Sequence, residues 1–216
     1  MDARQHPDLL DDGAVAPVDV IMPEVVLLRG FVATAPLLLE IEAIAAAAPF
    51  RRLETPGGGR MSVAMTNAGR WGWHSDRRGY RYLECDPESG RPWPTMPAAF
   101  AALARRAATR AGFPGFEPDC CLVNRYAIRA QMGTHRDFDE LDLRHPIVSV
   151  SIGLPATFLW YGAARKGPPR RVEVTDGDVL VWGGAARAGY HGVRRLTGRG
   201  EAPDGLRYNL TLRRAR

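Results

Sequence analysis

Cysteine is scarce and lysine almost absent. The 216 residues hold three cysteines, Cys85, Cys120 and Cys121, an odd number with one adjacent pair. That pattern excludes a disulfide framework and a CxxC zinc site and fits a reducing compartment, so the cysteines are expected to be packing residues. No long apolar run exists: the strongest stretch, Pro36 to Pro49, is broken by Glu40 and Glu42 and is too short to span a bilayer. Residues 1–20 carry five aspartates and no basic start followed by an apolar core, so no secretory signal is expected and the chain is placed in the cytoplasm, away from membranes. Gly 23 and Pro 17 are too few for a low-complexity chain, and 45% hydrophobic against 25% charged residues excludes wholesale disorder.

What is present is arginine. Of 29 basic residues only Lys166 is lysine, and the net charge of +5 is carried by guanidinium groups, which grip carboxylates and phosphates bidentately. A basic domain of this kind is compatible with an anionic polymer as ligand. A GC-rich genome accounts for the shortage of lysine, so the placement of the arginines, rather than their number, is informative.

Residues 1–20 read as a loosely ordered lead-in to a first strand around Val25–Val32. Thr34 before Ala-Pro is the expected N-cap of a helix running to Pro49, and a second helix is expected from Pro97 to about Ala111, stopped by Gly112 and Pro114. Between them, Met61–Thr66 reads as a strand and Asn67–Gly69 as the turn after it. From residue 119 the texture becomes β-rich, with expected strands Cys121–Tyr126, Ile147–Gly153, Thr157–Tyr161, Arg171–Val174, Val179–Trp182 and Leu206–Arg213. The expected fold is therefore mainly β with flanking helices (α+β), a cupin-like jelly roll with two helices covering one sheet face.

His135-Arg-Asp137 places an imidazole and a carboxylate at i and i+2, on one face of an extended chain, and His191 can complete the set. Two histidines and one carboxylate make the facial triad of non-haem iron(II), although zinc accepts the same ligands. The last strand alternates strictly. Tyr208, Leu210 and Leu212 share one face, while Arg207, Asn209, Thr211 and Arg213 share the other, which must meet either solvent or a polar cavity. Asn124-Arg-Tyr126 repeats the device, and together these side chains suit a dicarboxylate bound beside a metal.

These motifs, with Pro146–Pro155, Gly177–Gly184, Tyr190-His-Gly192 and, in the amino half, Thr55-Pro-Gly-Gly58 and Met61–Asn67, resemble the AlkB family of iron(II)- and 2-oxoglutarate-dependent dioxygenases over about residues 24 to 213. The resemblance implies a double-stranded β-helix in one dioxygenase domain, 21–216, with a nucleotide-recognition lid at about 50–92 and a catalytic core at about 119–214. It implies that His135, Asp137 and His191 hold Fe(II), and that Asn124, Tyr126, Arg207, Asn209 and Arg213 hold 2-oxoglutarate, with O2 as the other co-substrate. It further implies a monomer that demethylates alkylated bases such as 1-methyladenine and 3-methylcytosine in DNA, single- or double-stranded, or in RNA. Trp73 and Tyr80 match positions lining the base pocket, Asp139 and Glu140 match acidic residues near the base edge, and Thr55, Met61, Ser62 and Arg165, with Arg77 and Arg78, frame the mouth.

The sequence departs from the family pattern at Gly59, at Gly133 in Gln131-Met-Gly-Thr, and at Arg136 between two metal ligands, which bears on substrate grip more than on reaction class. Three alternatives stand beside the leading one: the same oxygenase chemistry on RNA, protein or lipid, a basic jelly roll that binds nucleic acid without turnover, and a zinc hydrolase or isomerase cupin. The last two have no need of Arg207 and Arg213 beside the triad.

Overall fold

The computed structural model describes residues 17–198, 200, 202 and 204–216. The part of the expected lead-in at residues 1–16 lies outside the described residues. The remainder does not behave as a lead-in: β1 (Val18–Met22) pairs antiparallel with β2 (Val25–Leu28), so the chain enters the sheet earlier than its acidic composition indicates.

The remaining elements are α1 (Ala35–Ala47), β3 (Ala64–Gly69), β4 (Gly72–Asp76), β5 (Gly79–Leu83), α2 (Ala98–Arg110), β6 (Cys120–Tyr126), β7 (Met132–His135), β8 (Ile147–Gly153), β9 (Ala156–Gly162), β10 (Arg170–Val174), β11 (Val179–Trp182), β12 (Tyr190–Val193) and β13 (Arg207–Arg213). They form a seven-stranded sheet in the order β1-β2-β11-β8-β13-β6-β3, a four-stranded sheet β10-β9-β12-β7, and the hairpin β4-β5. Two facing sheets with helices on one outer side give the expected jelly-roll arrangement.

Period-two patterning divides the large sheet between two cores. In β11, Val179 and Val181 turn outward to meet Leu37, Ile41, Phe100 and Leu103 of the helices, whereas Leu180 and Trp182 turn inward against Phe158, Trp160 and Val172 of the small sheet. β13 follows the same rule with different chemistry: Leu210 and Leu212 join the helix-side core, and its polar residues point between the sheets.

Several local expectations need correction. Thr34 occupies the N-cap position of α1, but its hydroxyl donates to Asp176 Oδ2 at 2.8 Å instead of capping the helix. The strand expected at Met61–Thr66 begins at Ala64 and runs through the supposed turn to Gly69, because β6 supplies pairing along its whole length. Besides β1, four strands were not expected from the sequence: the hairpin β4-β5, and β7 and β12, which carry the histidines of the site. Cys120 and Cys121 are buried as expected, whereas Cys85 is exposed. No helix among the described residues is long and apolar enough to cross a membrane.

Candidate active site

β7 and β12 pair antiparallel with His135 directly opposite His191, so two residues 56 positions apart become cross-strand neighbours with ring centroids 4.4 Å apart. The approach is close. A Cβ on Gly192 would lie 2.9 Å from the Met132 carbonyl oxygen, which explains a glycine beside the ligand. Asp137 follows β7, and its carboxylate lies 3.8 Å from His135 Nε2 and 3.7 Å from His191 Nε2. One ligand atom from each residue falls within 4.8 Å of the others. Each imidazole directs Nδ1 at a backbone carbonyl two residues earlier, Gly133 at 2.8 Å and Gly189 at 2.9 Å. A carbonyl only accepts, so Nδ1 carries the proton and Nε2 keeps its lone pair for an ion.

A buried polar network backs the carboxylate. Arg213 Nη2 sits 2.9 Å from Asp137 Oδ2, its Nη1 donates to the Tyr82 hydroxyl at 3.3 Å, and Tyr82 in turn donates to Glu140 Oε1 at 2.7 Å. Arg187 pairs with Glu140 at 3.0 Å and donates to the carbonyl oxygens of Asp137 and His145, pinning the loop that carries the ligand. Burial alone raises a carboxyl, but Arg213, then His191 and His135, hold Asp137 well below its ordinary range.

Burial, with His135 alongside, pushes His191 down to about 3. A histidine lowered in the fold takes its proton first in the unfolded chain, so stability falls as the pH drops below about 6.5, at up to about 1.4 kcal/mol per pH unit. Asp137, also lowered, acts with the same sign in a more acidic window: its contribution is present above the ordinary carboxylate range and is lost only in stronger acid. Urea unfolding of metal-free protein between pH 7.5 and 4.5 should therefore show this slope. His74, also lowered, adds a contribution of the same sign. His191→Asn should flatten the slope, and an unaltered slope would remove His191 as its source.

The second half of the site lies on the large sheet. Antiparallel register sets Arg207 opposite Tyr126 and Asn209 opposite Asn124, so both polar clusters share one face of adjoining strands. Asn209 donates to Ser149 Oγ at 2.8 Å, and its Oδ1 accepts from Thr211 at 2.9 Å and from Asn124 at 3.2 Å. The two arginines differ in a way that sequence leaves hidden. Arg213 has Asp137 and Glu140, so its fork is already occupied by acids of the chain. Arg207, 3% exposed, donates only to Ser151 Oγ and the Leu154 carbonyl oxygen and pairs with no acid of the described residues; its Nε, like that of Arg213, is buried without a hydrogen bond. Burial pulls Arg207 below its ordinary value, as expected of a guanidinium that lacks a counter-ion.

A cavity of about 450 Å³ joins Arg207 to the triad and continues to Trp73. Trp73 and Tyr80 stack with ring centroids 5.4 Å apart in its wall, and Trp73 Nε1 donates to Asp139 Oδ2 at 3.0 Å. Thr55, Met61 and Ser62 also line it, although the Ser62 hydroxyl is engaged by the backbone of Gln131 in both directions.

Two expected contacts are placed elsewhere. Glu140 is buried in the Arg187–Tyr82–Arg213 network rather than at the base edge, because two guanidiniums draw it inward. Arg165 is exposed in the β9–β10 turn, outside the cavity wall. Arg77 pairs with Glu54 at 2.7 Å on the surface, and Arg78 is exposed.

Sequence reasoning also passed over Ser149 and Ser151, whose i, i+2 spacing within the apolar β8 marks a polar inward face. Arg187, for which no local signal exists, and the Tyr82 hydroxyl also belong to the network.

Comparison with known proteins agrees with this geometry. Residues 24–213 match the model of the 2OG-Fe(II) oxygenase superfamily. The alpha-ketoglutarate-dependent dioxygenase AlkB of Escherichia coli (strain K12) is 50% identical over 88% of this chain and 89% of its own length. The AlkB homolog of Caulobacter vibrioides is 48% identical over 82% of this chain and 80% of its own. The solved structure of OsALKBH1 superposes with a TM-score of 0.82 at 27% identity, covering 92% of this chain and 100% of that one.

Proposed function

We propose that this chain, which belongs to the AlkB family within the 2OG-Fe(II) oxygenase superfamily, is an oxidative demethylase of N-alkylated bases in nucleic acid. The observation that carries the reading is a single cavity uniting a two-histidine, one-carboxylate cluster, a buried guanidinium without a counter-ion and a stacked aromatic pair. The donor set fits iron, with both Nε2 lone pairs free beside a carboxylate held anionic by Arg213. Arg207 fits the far carboxylate of 2-oxoglutarate, since an acid there would relieve a buried, uncompensated charge.

Each residue then has a defined task. His135 and His191 would hold the metal through Nε2, and Asp137 through a carboxylate oxygen, the donor set of non-haem iron(II). Arg207, with Tyr126, Asn124 and Asn209, fixes the co-substrate's orientation. Arg213 keeps Asp137 ionised and positioned, which assigns it to the metal end of the co-substrate rather than to a free fork. When bound, Fe(II) and 2-oxoglutarate supply O2-dependent oxidation of an N-methyl group, with succinate, CO2 and formaldehyde as products.

Trp73 and Tyr80 offer the aromatic face that receives a base taken out of its stack. Asp139 sets an anionic carboxylate beside that face, favouring 1-methyladenine and 3-methylcytosine, which are cationic at neutral pH. Thr55, Met61 and Ser62 border the entrance, and segment 50–92, apart from β3 in the large sheet, acts as the recognition lid over a monomeric, cytoplasmic enzyme.

Mass spectrometry of a single-stranded oligonucleotide carrying one 3-methylcytosine should show loss of the methyl group with Fe(II), 2-oxoglutarate and oxygen, and none without 2-oxoglutarate. Succinate without methyl loss would redirect the substrate to RNA, protein or lipid, and silence on both would favour a binding module. In the same assay Trp73→Ala should raise the KM for the lesion about 5- to 150-fold, the cost of one lost base stack. It should affect succinate formation in the absence of substrate far less, and equal losses would make the tryptophan purely structural.

A further inference from the structure

Large hydrophobic side chains are exposed at few places on this molecule. Among the described residues only two of them are aromatic, Tyr80 at 49% and Phe138 at 51%. Tyr80 belongs to the cavity wall. Phe138 lies outside it, between Asp137, a metal ligand, and Asp139, which does line the cavity. Its ring is not idle. The guanidinium of Arg136 lies over Phe138 at 4.5 Å and over Tyr190 at 5.4 Å, and Arg136 itself lines the cavity rim. A guanidinium held by its π face keeps its in-plane N–H donors free, and no carboxylate of the described residues pairs with this one.

We infer that Arg136, Phe138 and Tyr190 form a stacking subsite for the nucleotide next to the damaged one, the aromatic face taking the neighbouring base and the guanidinium its phosphodiester. The inference rests on the nucleic-acid reading above and deepens it. An exposed aromatic–arginine stack is the combination that holds single strands without regard to sequence, since every base has a π face and every linkage a charge. The occupant must be anionic, because the rim offers cations in Arg60 and Arg136. It must also be continuous with the cavity's own occupant, because the residues on either side of Phe138 belong to that site. A strand whose damaged base is inserted beside Trp73 meets both requirements.

The test is a double-mutant cycle between protein and substrate. Methyl removal is followed on three pentanucleotides with a central 3-methylcytosine: one intact, one abasic on the 5′ side of the lesion and one abasic on the 3′ side. For the wild type, removing the base on one flank should raise KM about 5- to 150-fold, the range for one base–aromatic stack. In Phe138→Ala that same deletion should have no further effect, and Phe138→Trp should restore the coupling. Arg136→Gln should lower the slope of log KM against log salt by about 0.7, as for one phosphate contact on a single strand. Absence of coupling at both flanks, or an equal loss on all three substrates, overturns the subsite. In the first case the patch is left to a protein contact, and in the second to shaping of the metal loop. Wild-type protein that demethylates none of the oligonucleotides overturns the underlying reading as well, so the two failures are distinct.

Discussion

Arg207→Met should raise the KM for 2-oxoglutarate roughly 30- to 5,000-fold, the cost of deleting one member of a buried, hydrogen-bonded charge pair. The same substitution should leave the co-substrate-free protein at least as stable as the wild type. Both expectations come from one observation: Arg207 is buried with its Nε unpartnered and no acid of the described residues paired with it. Without ligand, its charge is a liability to the fold, and methionine fills similar volume with no charge to desolvate. Tm should hold or rise, by about 2–4 °C for each kcal/mol recovered. Added 2-oxoglutarate should then raise the Tm of the wild type but not of the variant. A large fall in stability with unchanged KM would show that Ser151 and Leu154 alone justify the guanidinium, and the carboxylate role would be lost.

Asp137→Ala should bring turnover below about a thousandth of wild type, well beyond the roughly 10- to 100-fold typical of lost support around a metal. Here stability should suffer as well. Asp137 is the acid nearest Arg213, and breaking a buried ion pair by removing one partner costs about 3–5 kcal/mol. Glu140, 3.5 Å from Arg213 Nε, offsets part of that loss. Asp137→Asn separates the two effects, since it keeps shape and removes charge. Turnover and Co(II) absorption on both variants are the measurements, and activity above a tenth of wild type with metal still bound would take Asp137 out of the ligand set.

The contrast between Arg207 and Arg213 also shows where sequence reading reaches its limit. Strict alternation in β13 was enough to put both on one polar face, for solvent or for a cavity, and the strands β8 and β11 were bounded correctly because β-branched runs between glycines leave few choices. Which acid each guanidinium meets depends on how the loop after β7 folds back over β13, and nothing local encodes that. β7 and β12 were missed for a related reason. Met132-Gly-Thr-His135 and Tyr190-His-Gly-Val193 hold a glycine each and little apolar alternation, so they are strands through pairing with each other and with β9. The cluster itself was legible in part: HxD puts His135 and Asp137 on one face of an extended backbone, and the family resemblance supplied His191. Glu140 was misplaced because a carboxylate one residue from Asp139 looks equivalent until Arg187, 47 positions away, is brought beside it.

β13 is the last strand of the chain, yet it lies inside the large sheet, bonded to β8 on one side and β6 on the other. During synthesis the chain therefore emerges with the slot between two apolar strands empty, each presenting an unpaired edge until β13 has been made. The cavity's co-substrate wall and its helix-side core are completed in the same event, because Arg207 and Leu210 arrive on opposite faces of one strand. A nascent or truncated chain lacking that strand forfeits both at once, which makes β13 the gatekeeper of folding and leaves a chain without it a ready target for chaperones and for aggregation.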